Sequence, residues 1–129
     1  MSTTTTGPKG PRNLNTAIAG GVILRGTAVK RGADQNTAVQ ATANSDNLGI
    51  AADYQDTAGR TFSYHGPGSN CEVRTGAAVA LDALLASDAN GKLITATTGQ
   101  HVTAIAREAA TAADQLIAAE TAPRGMVAP

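Results

Sequence analysis

The sequence predicts an all-β fold built from two repeated β units. The first observation is the spacing of turn signals, since Gly, Asn, Asp or Pro interrupts short apolar and Thr-rich runs about every 8–12 residues. The second is the alternation of apolar and polar residues in segments 60–65 and 71–75, which is typical of strands with one buried face. The third is an internal repeat.

The repeat emerges when the second half of the chain is shifted back by 55 residues (105 − 50). This shift places Ile105 on Ile50, and it also aligns Ile94 with Val39, Ala96 with Ala41, Thr97 with Thr42, Ala106 with Ala51, Glu108 with Asp53 and Ile117 with Phe62. Upstream, segment 74–79 matches segment 24–29 at a shift of 50 (76 − 26), which predicts about five extra residues near 81–85. The two copies are expected to span residues 19–65 and 71–120.

The first 15 residues are predicted to form a flexible N-terminal arm. They contain four consecutive Thr residues followed by two Gly-Pro-type breaks, and Pro lacks the backbone donor that a helix or central strand needs. The segment is either a tail or an extended arm that becomes ordered on a partner. On the second interpretation the contact residues are Thr6, Pro8, Lys9, Pro11, Arg12 and Leu14, in which the two bases supply charge and Leu14 an apolar anchor.

The remaining elements of the first copy are short strands. Residues 16–31 predict two strands around a turn, and further strands are expected at 36–42, 48–53 and 60–65. In the last of these, Phe62 and Tyr64 share one face and His65 lies on the other. The Gly- and Pro-rich segment 66–70 is the expected joint between the copies.

Two segments of the second copy carry conflicting signals. Residues 77–87 have helical propensity, which suggests a single helical turn. Residues 107–119 also favour a helix, but their counterpart 52–62 contains Gly59, so a hairpin is predicted.

Strand 71–75 places Cys71 and Val73 on one face, and Asn90-Gly91 is a strong turn signal. Residues 122–129 are predicted to be a C-terminal tail.

Composition indicates a thin hydrophobic core. Hydrophobic residues reach 42% but aromatic residues only 2%, and much of the apolar content is Ala, which buries little area. Such a chain is expected to gain stability by packing against copies or partners. A single Cys excludes an intramolecular disulfide, which makes intracellular folding the simpler interpretation, and no signal peptide or membrane span is predicted.

Charge is uneven along the neutral chain. Residues 1–31 contain five bases and no acid, whereas the remainder contains five bases and ten acids. A basic leading segment favours docking on an acidic surface. Binding to nucleic acid is disfavoured, because the aromatic residues on which bases would stack are nearly absent.

No constellation predicts catalysis, a metal or a cofactor. His65, His101 and Cys71 lack the spacing of a zinc site, and the loop that follows His65 lacks the Lys and helix of a phosphate cradle. Asp53 and Glu108 are interpreted as solvated turn charges. Lys92 follows a hairpin turn as in lipoyl and biotinyl carrier domains, but its flanking residues do not match them.

The order of several weak motifs resembles one protein family. Arg25-Gly26-Thr27-Ala28-Val29-Lys30 and then Leu48-Gly49-Ile50-Ala51 recur as Gly76-Ala77-Ala78-Val79, Asp88-Ala89-Asn90-Gly91-Lys92-Leu93, Ile105-Ala106-Arg107-Glu108 and Asp114-Gln115-Leu116-Ile117. Over about residues 19–120 this order is similar to the capsid decoration (cement) proteins of tailed bacteriophages.

The resemblance implies a β-barrel or β-tulip domain over residues 16–121, without enzymatic activity or cofactor. Such a domain would bind the major capsid protein on the outer surface of the virion as a homotrimer and stabilise the expanded shell, with no nucleic acid or membrane as partner. The alternative is a small β-barrel that binds carbohydrate, such as an adhesin module. Modules of that kind usually display aromatic platforms, and this chain has only two Tyr and one Phe.

Overall fold

Ten short strands form two five-stranded units. The computed structural model describes residues 13–129, and none of these residues is helical, which confirms the all-β prediction. The helical turn expected within 77–87 is therefore wrong, because part of that segment pairs as a strand. The strands are β1 Leu14–Ala19, β2 Ala28–Arg31, β3 Thr37–Gln40, β4 Gly49–Ala51, β5 Thr61–His65, β6 Asn70–Arg74, β7 Leu84–Ser87, β8 Leu93–Thr95, β9 Ala104–Ala106 and β10 Leu116–Thr121.

Unit 1, which comprises β1–β5, is a closed barrel with the strand order β1-β3-β2-β4-β5. Strand β1 closes it, because it pairs antiparallel with β5 and parallel with β3. Its pairing begins where Leu14 faces His65. The first strand therefore starts two residues before Thr16, the expected start of the domain, since β5 offers backbone partners along its whole length.

Unit 2, which comprises β6–β10, repeats this arrangement. Its order is β6-β10-β9-β7-β8, and a parallel bridge between Thr75 and Leu93 joins its two outer strands. The pair Ala28↔Ile50 of unit 1 corresponds to Leu84↔Ile105 of unit 2, at offsets of 56 (84 − 28) and 55 (105 − 50). Offset 55 relates β3, β4 and β5 to β8, β9 and β10, as the sequence predicts, and offset 56 relates β1 and β2 to β6 and β7.

The upstream match at a shift of 50 is wrong. Val79 bridges Ala110 in unit 2 as Ile23 bridges Gln55 in unit 1, so Val79 is the counterpart of Ile23 at offset 56. No five-residue insertion occurs near 81–85. The β7–β8 hairpin is instead one residue shorter than the β2–β3 hairpin, because Asp88 N–H to Lys92 closes the former and Gly32 N–H to Thr37 the latter. A short Ala-rich match can arise by chance in an Ala-rich chain, so it does not set the register.

Three turns with left-handed backbone occur at equivalent positions in the two units. In each pair one unit uses Gly and the other uses Asn or Asp, the residue types that adopt a positive φ most readily. The pairs are Gly26 (φ 86°) with Asp82 (φ 66°), Asn44 (φ 53°) with Gly99 (φ 87°), and Gly59 (φ 91°) with Asp114 (φ 63°). Turn geometry is thus repeated although the residues differ.

The β9–β10 hairpin confirms the hairpin predicted for residues 107–119. Glu108 accepts a hydrogen bond from the Ala118 N–H at 2.9 Å, as Asp53 accepts one from the Ser63 N–H at 3.0 Å in unit 1. These two carboxylates therefore bond to the strand opposite them in their own hairpins.

Each unit has a core cluster at corresponding positions, and the cluster of unit 2 also includes residues of unit 1. Phe62 and Tyr64 pack in unit 1 with ring centroids 6.3 Å apart, whereas the core of unit 2 is aliphatic. Cys71 is buried as predicted, but His65 is buried rather than on the surface, at the end of β5 where it pairs with both β1 and β4. The matching core residues are Ile23, Val29, Ala38, Ala51 and Phe62 of unit 1 with Val79, Leu85, Leu93, Ala106 and Ile117 of unit 2.

Candidate functional site

Unit 2 is joined to unit 1 by backbone hydrogen bonds and a shared core. Arg74 N–H donates to the Gly26 carbonyl at 2.8 Å, and Asn44 N–H donates to the Ser87 carbonyl at 3.0 Å. Between these points the N–H of Ala28 bonds to a carbonyl of the β7–β8 turn at 2.7 Å. Ala28, Ala41 and Ile50 of unit 1 belong to the core cluster of unit 2, so the two units share buried apolar surface.

A buried polar network lies in this contact. Asn47 Nδ2 donates to Ser87 Oγ at 3.1 Å and to Thr103 Oγ1 at 2.7 Å, and Ser87 Oγ donates to the Thr42 carbonyl at 2.7 Å. Buried polar groups are costly unless they are hydrogen-bonded, so this network favours one relative orientation of the units. This network was not predicted from the sequence. The available signal was that offset 55 aligns the polar Asn47 with the apolar Val102.

The rim of the contact combines a close approach with an ion pair. A Cβ on Gly26 would lie 2.9 Å from Leu116 Cδ2 and 3.1 Å from Arg74 N, so the turn can sit this close only because residue 26 has no side chain. Beside it, Arg25 Nη2 and Glu72 Oε1 are 2.6 Å apart.

The C-terminal segment, residues 122–128, packs on unit 2. Gly99 N–H donates to the Ala128 carbonyl at 3.0 Å, and Val102 N–H donates to the Met126 carbonyl at 2.9 Å. Ala122, Ala128 and Val102 are buried together, with Leu84, Ala96 and Met126 packed against them. The segment expected to be a tail therefore covers part of unit 2.

This segment occupies on unit 2 part of the place that unit 2 occupies on unit 1. Gly99 N–H bonds to the C-terminal segment, and its counterpart Asn44 N–H bonds to Ser87 of unit 2. The apolar contacts correspond in the same way. Leu84, Ala96 and Val102 face the C-terminal segment, and their counterparts Ala28, Ala41 and Asn47 face unit 2.

One ion pair ties the C-terminal segment to unit 1. Arg124 Nη2 lies 3.2 Å from Asp46 Oδ2, and Arg124 Nε lies 3.3 Å from Asp46 Oδ1. The hydrogen bond from Arg124 holds the pKa of Asp46 below its usual value of 3.8, against the opposing effect of partial desolvation.

We expect acid to loosen the C-terminal segment. Because the pKa of Asp46 is lowered on folding, its stabilising contribution is complete above pH 3.8 and is lost as pH falls through the lower value. Asp46→Asn should mimic this loss at neutral pH. Amide hydrogen exchange at Gly99 and Val102 measures it as a protection factor relative to the intrinsic rate at each pH, and lower protection is expected in both cases.

Asp34→Asn is the matched control for this change. The pKa of Asp34 is also lowered, but by the backbone N–H of Asn36 and the hydroxyl of Thr37 within its own hairpin. Exchange at Gly99 and Val102 should therefore be unchanged in this variant. Equal exchange in the Asp34 and Asp46 variants would contradict a role for the Arg124 pair.

The predicted arm residues fall mostly outside the described part of the chain. Thr6, Pro8, Lys9, Pro11 and Arg12 lie outside residues 13–129. Leu14 begins β1 and is 56% exposed, and the Asn13 N–H just before it donates to Ser69 Oγ at 2.5 Å.

The residues considered for chemistry do not form a centre. Lys92 Nζ pairs with Asp114 Oδ1 at 2.6 Å, and this ion pair lowers the pKa of Asp114. Within residues 13–129 no group of three His, Cys, Asp or Glu side chains is arranged to hold a metal ion. The same range contains no helix with the length and apolar character that a bilayer crossing requires.

Comparison with solved structures shows what fold this chain shares. It is similar to the N base of head fiber gp8.5 in bacteriophage phi29, with a TM-score of 0.70 and 17% sequence identity. The match covers 90% of this chain and 98% of that one, so it includes both units. Models of known families and curated proteins give no match to the sequence. At this identity the likeness shows a common fold.

Proposed function

We propose that this protein is a structural component of a tailed-bacteriophage head that binds the outer surface of the capsid and stabilises the expanded shell. Its partner is the major capsid protein, and it acts as a decoration protein without catalysis. Copies assemble on the capsid, as trimers in the arrangement that the sequence resemblance implies.

The observation that carries this proposal is the fold shared with a phage head-fiber base over nearly the whole length of both chains. It agrees with the order of motifs that resembles capsid decoration proteins. An Ala-rich core and a basic leading segment favour a function based on contact area. The carbohydrate-binding alternative gains no support, because Phe62 and Tyr64 lie in the core cluster of unit 1 and only Tyr54 is well exposed.

We expect a chain that begins at Asn13 to bind capsids far more weakly than the full chain. Neutralising Lys9 and Arg12 should have a smaller effect, because exposed ion pairs contribute only about 0–1 kcal/mol each. Backbone hydrogen bonds, such as those of strand addition to a neighbouring sheet, would supply the remaining affinity. Co-sedimentation of purified protein with expanded capsids that lack it measures both effects.

Two results and one control distinguish the possibilities. Failure of the full chain to co-sediment would refute capsid binding. Full affinity in the truncated chain would refute the arm and direct attention to the surface of the units. Circular dichroism of the truncated chain is the control, since all ten strands lie beyond the deleted residues and should be retained.

A further inference from the structure

Within residues 13–129, unit 1 has an exposed surface whose counterpart in unit 2 is an interface. Unit 2 meets unit 1 through Arg74 and Leu116, beside the Arg25–Glu72 pair. The corresponding residues of unit 1 are Thr16 for Glu72, Ile18 for Arg74 and Thr61 for Leu116, and all three are exposed. We call this surface the open end of unit 1; Leu14, 56% exposed, extends it along β1.

Unit 2 carries the complementary surface. The turn at residues 24–26 of unit 1 accepts unit 2, and its counterpart is the turn at residues 80–82. Leu81 takes the position of Arg25 and is 60% exposed. Both surfaces therefore carry exposed large apolar side chains where the contact inside the chain has an ion pair.

The residues that differ between the two units at these surfaces change in matching pairs. The charged pair Arg25–Glu72 is replaced by Leu81 opposite Thr16, which has Leu14 and Ile18 two residues away on the same face of β1. The close contact of Gly26 with Leu116 is replaced by Asp82 opposite Thr61, so the residue that gains a side chain meets a smaller partner. Two independent positions thus change in a compensating way.

We propose that two copies of this chain associate head to tail, with the open end of unit 1 in one copy docked on the 80–82 turn of unit 2 in the next. The C-terminal segment limits this contact, because it occupies the adjoining face of unit 2 through Gly99 and Val102. A head-to-tail contact of this kind closes into rings when its rotation permits and otherwise extends. It is a property of the free chain, so its failure and the failure of capsid binding are separate results.

Sedimentation velocity of the full chain over a series of concentrations tests the proposal. Association should increase with concentration, and a chain that ends at Thr121 should associate more strongly because the adjoining face is uncovered. Thr16→Glu and Leu81→Arg should each weaken association about tenfold or more, since the first places a charge against Leu81 and the second places one beside Leu14 and Ile18.

Combining the two substitutions in one chain provides the decisive measurement. Every contact between copies that carry both Thr16→Glu and Leu81→Arg would recreate the Arg25–Glu72 ion pair, whose atoms are 2.6 Å apart inside the chain. The double variant should recover association that neither single variant shows, as expected for coupled residues. Tyr54→Arg is the matched control, because Tyr54 is 58% exposed and lies outside both surfaces, and it should associate normally.

Several outcomes would overturn the proposal. These are a full chain and a chain ending at Thr121 that both stay monomeric at every concentration, or single variants that weaken association without recovery in the double variant. If the chain ending at Thr121 does not fold, Asp46→Asn in the full chain loosens the same segment and should strengthen association.

Discussion

Gly49→Ala should lower the free energy of unfolding by at least about 2 kcal/mol, with a fall in Tm of roughly 8 °C or more. A Cβ at this position would overlap the carbonyl oxygen of His65 and lie 2.9 Å from its carbonyl carbon. Neither β4 nor β5 can move away at a small energetic cost. The neighbouring pair Ile50↔His65 holds β4 to β5, and β5 is held from its other side by β1 in the closed barrel. Thermal and urea unfolding measure the loss.

Gly21→Ala is the control for this substitution. No atom lies within 4 Å of the position where its Cβ would be placed, and its backbone is outside the left-handed region. Ala restricts the backbone of the unfolded chain more than Gly does. The stability of this variant should therefore be unchanged or higher by about 0.4–1 kcal/mol. Similar destabilisation by both substitutions would show that close approach to β5 is not the cause.

Leu85→Ala is expected to cost about 2–5 kcal/mol, because it removes three carbons from a fully buried site and leaves a cavity. Much of the surrounding cluster is Ala, whose short side chains cannot reach into the space. Since Ala28, Ala41 and Ile50 of unit 1 belong to the same cluster, the loss should lower the stability of both units. Urea unfolding at low protein concentration should show one transition with a lower midpoint.

Leu81→Ala tests the same chemical change four residues away. Leu81 is 60% exposed, so its truncation should change the free energy of unfolding by no more than about 0.5 kcal/mol. The comparison separates burial from residue type. Equal losses at residues 81 and 85 would contradict the packing described for unit 2.

Local patterns in the sequence predicted the class of fold and several elements correctly. The hairpin at 107–119 was recognised against its helical propensity, because the repeat aligned it with a segment that contains Gly59. Alternation predicted that Cys71 and Val73 share a buried face, and both are buried. These features depend on neighbours a few residues apart, where turn chemistry and strand period act directly.

The candidate surfaces were less predictable. The sequence directed attention to the arm at residues 1–15, which stays a prediction, and it did not indicate the contact between units, which depends on Asn47, Ser87 and Thr103, far apart in the chain. The exposed Leu81 lies in a segment whose helical propensity suggested a different structure. Recognising it as the counterpart of Arg25 requires offset 56, which only the strand pairing reveals.

By itself, then, the sequence determined an all-β chain with a 55-residue repeat that relates β3, β4 and β5 to β8, β9 and β10. Only the tertiary structure decided that β1 closes unit 1 between β3 and β5, that the first two strands repeat at offset 56, and that the C-terminal segment covers unit 2. The physical reason is that Ala, Gly and Thr fit many registers almost equally well, so local patterns leave the register open. Hydrogen bonds between distant strands and the filling of two small cores select one register from these.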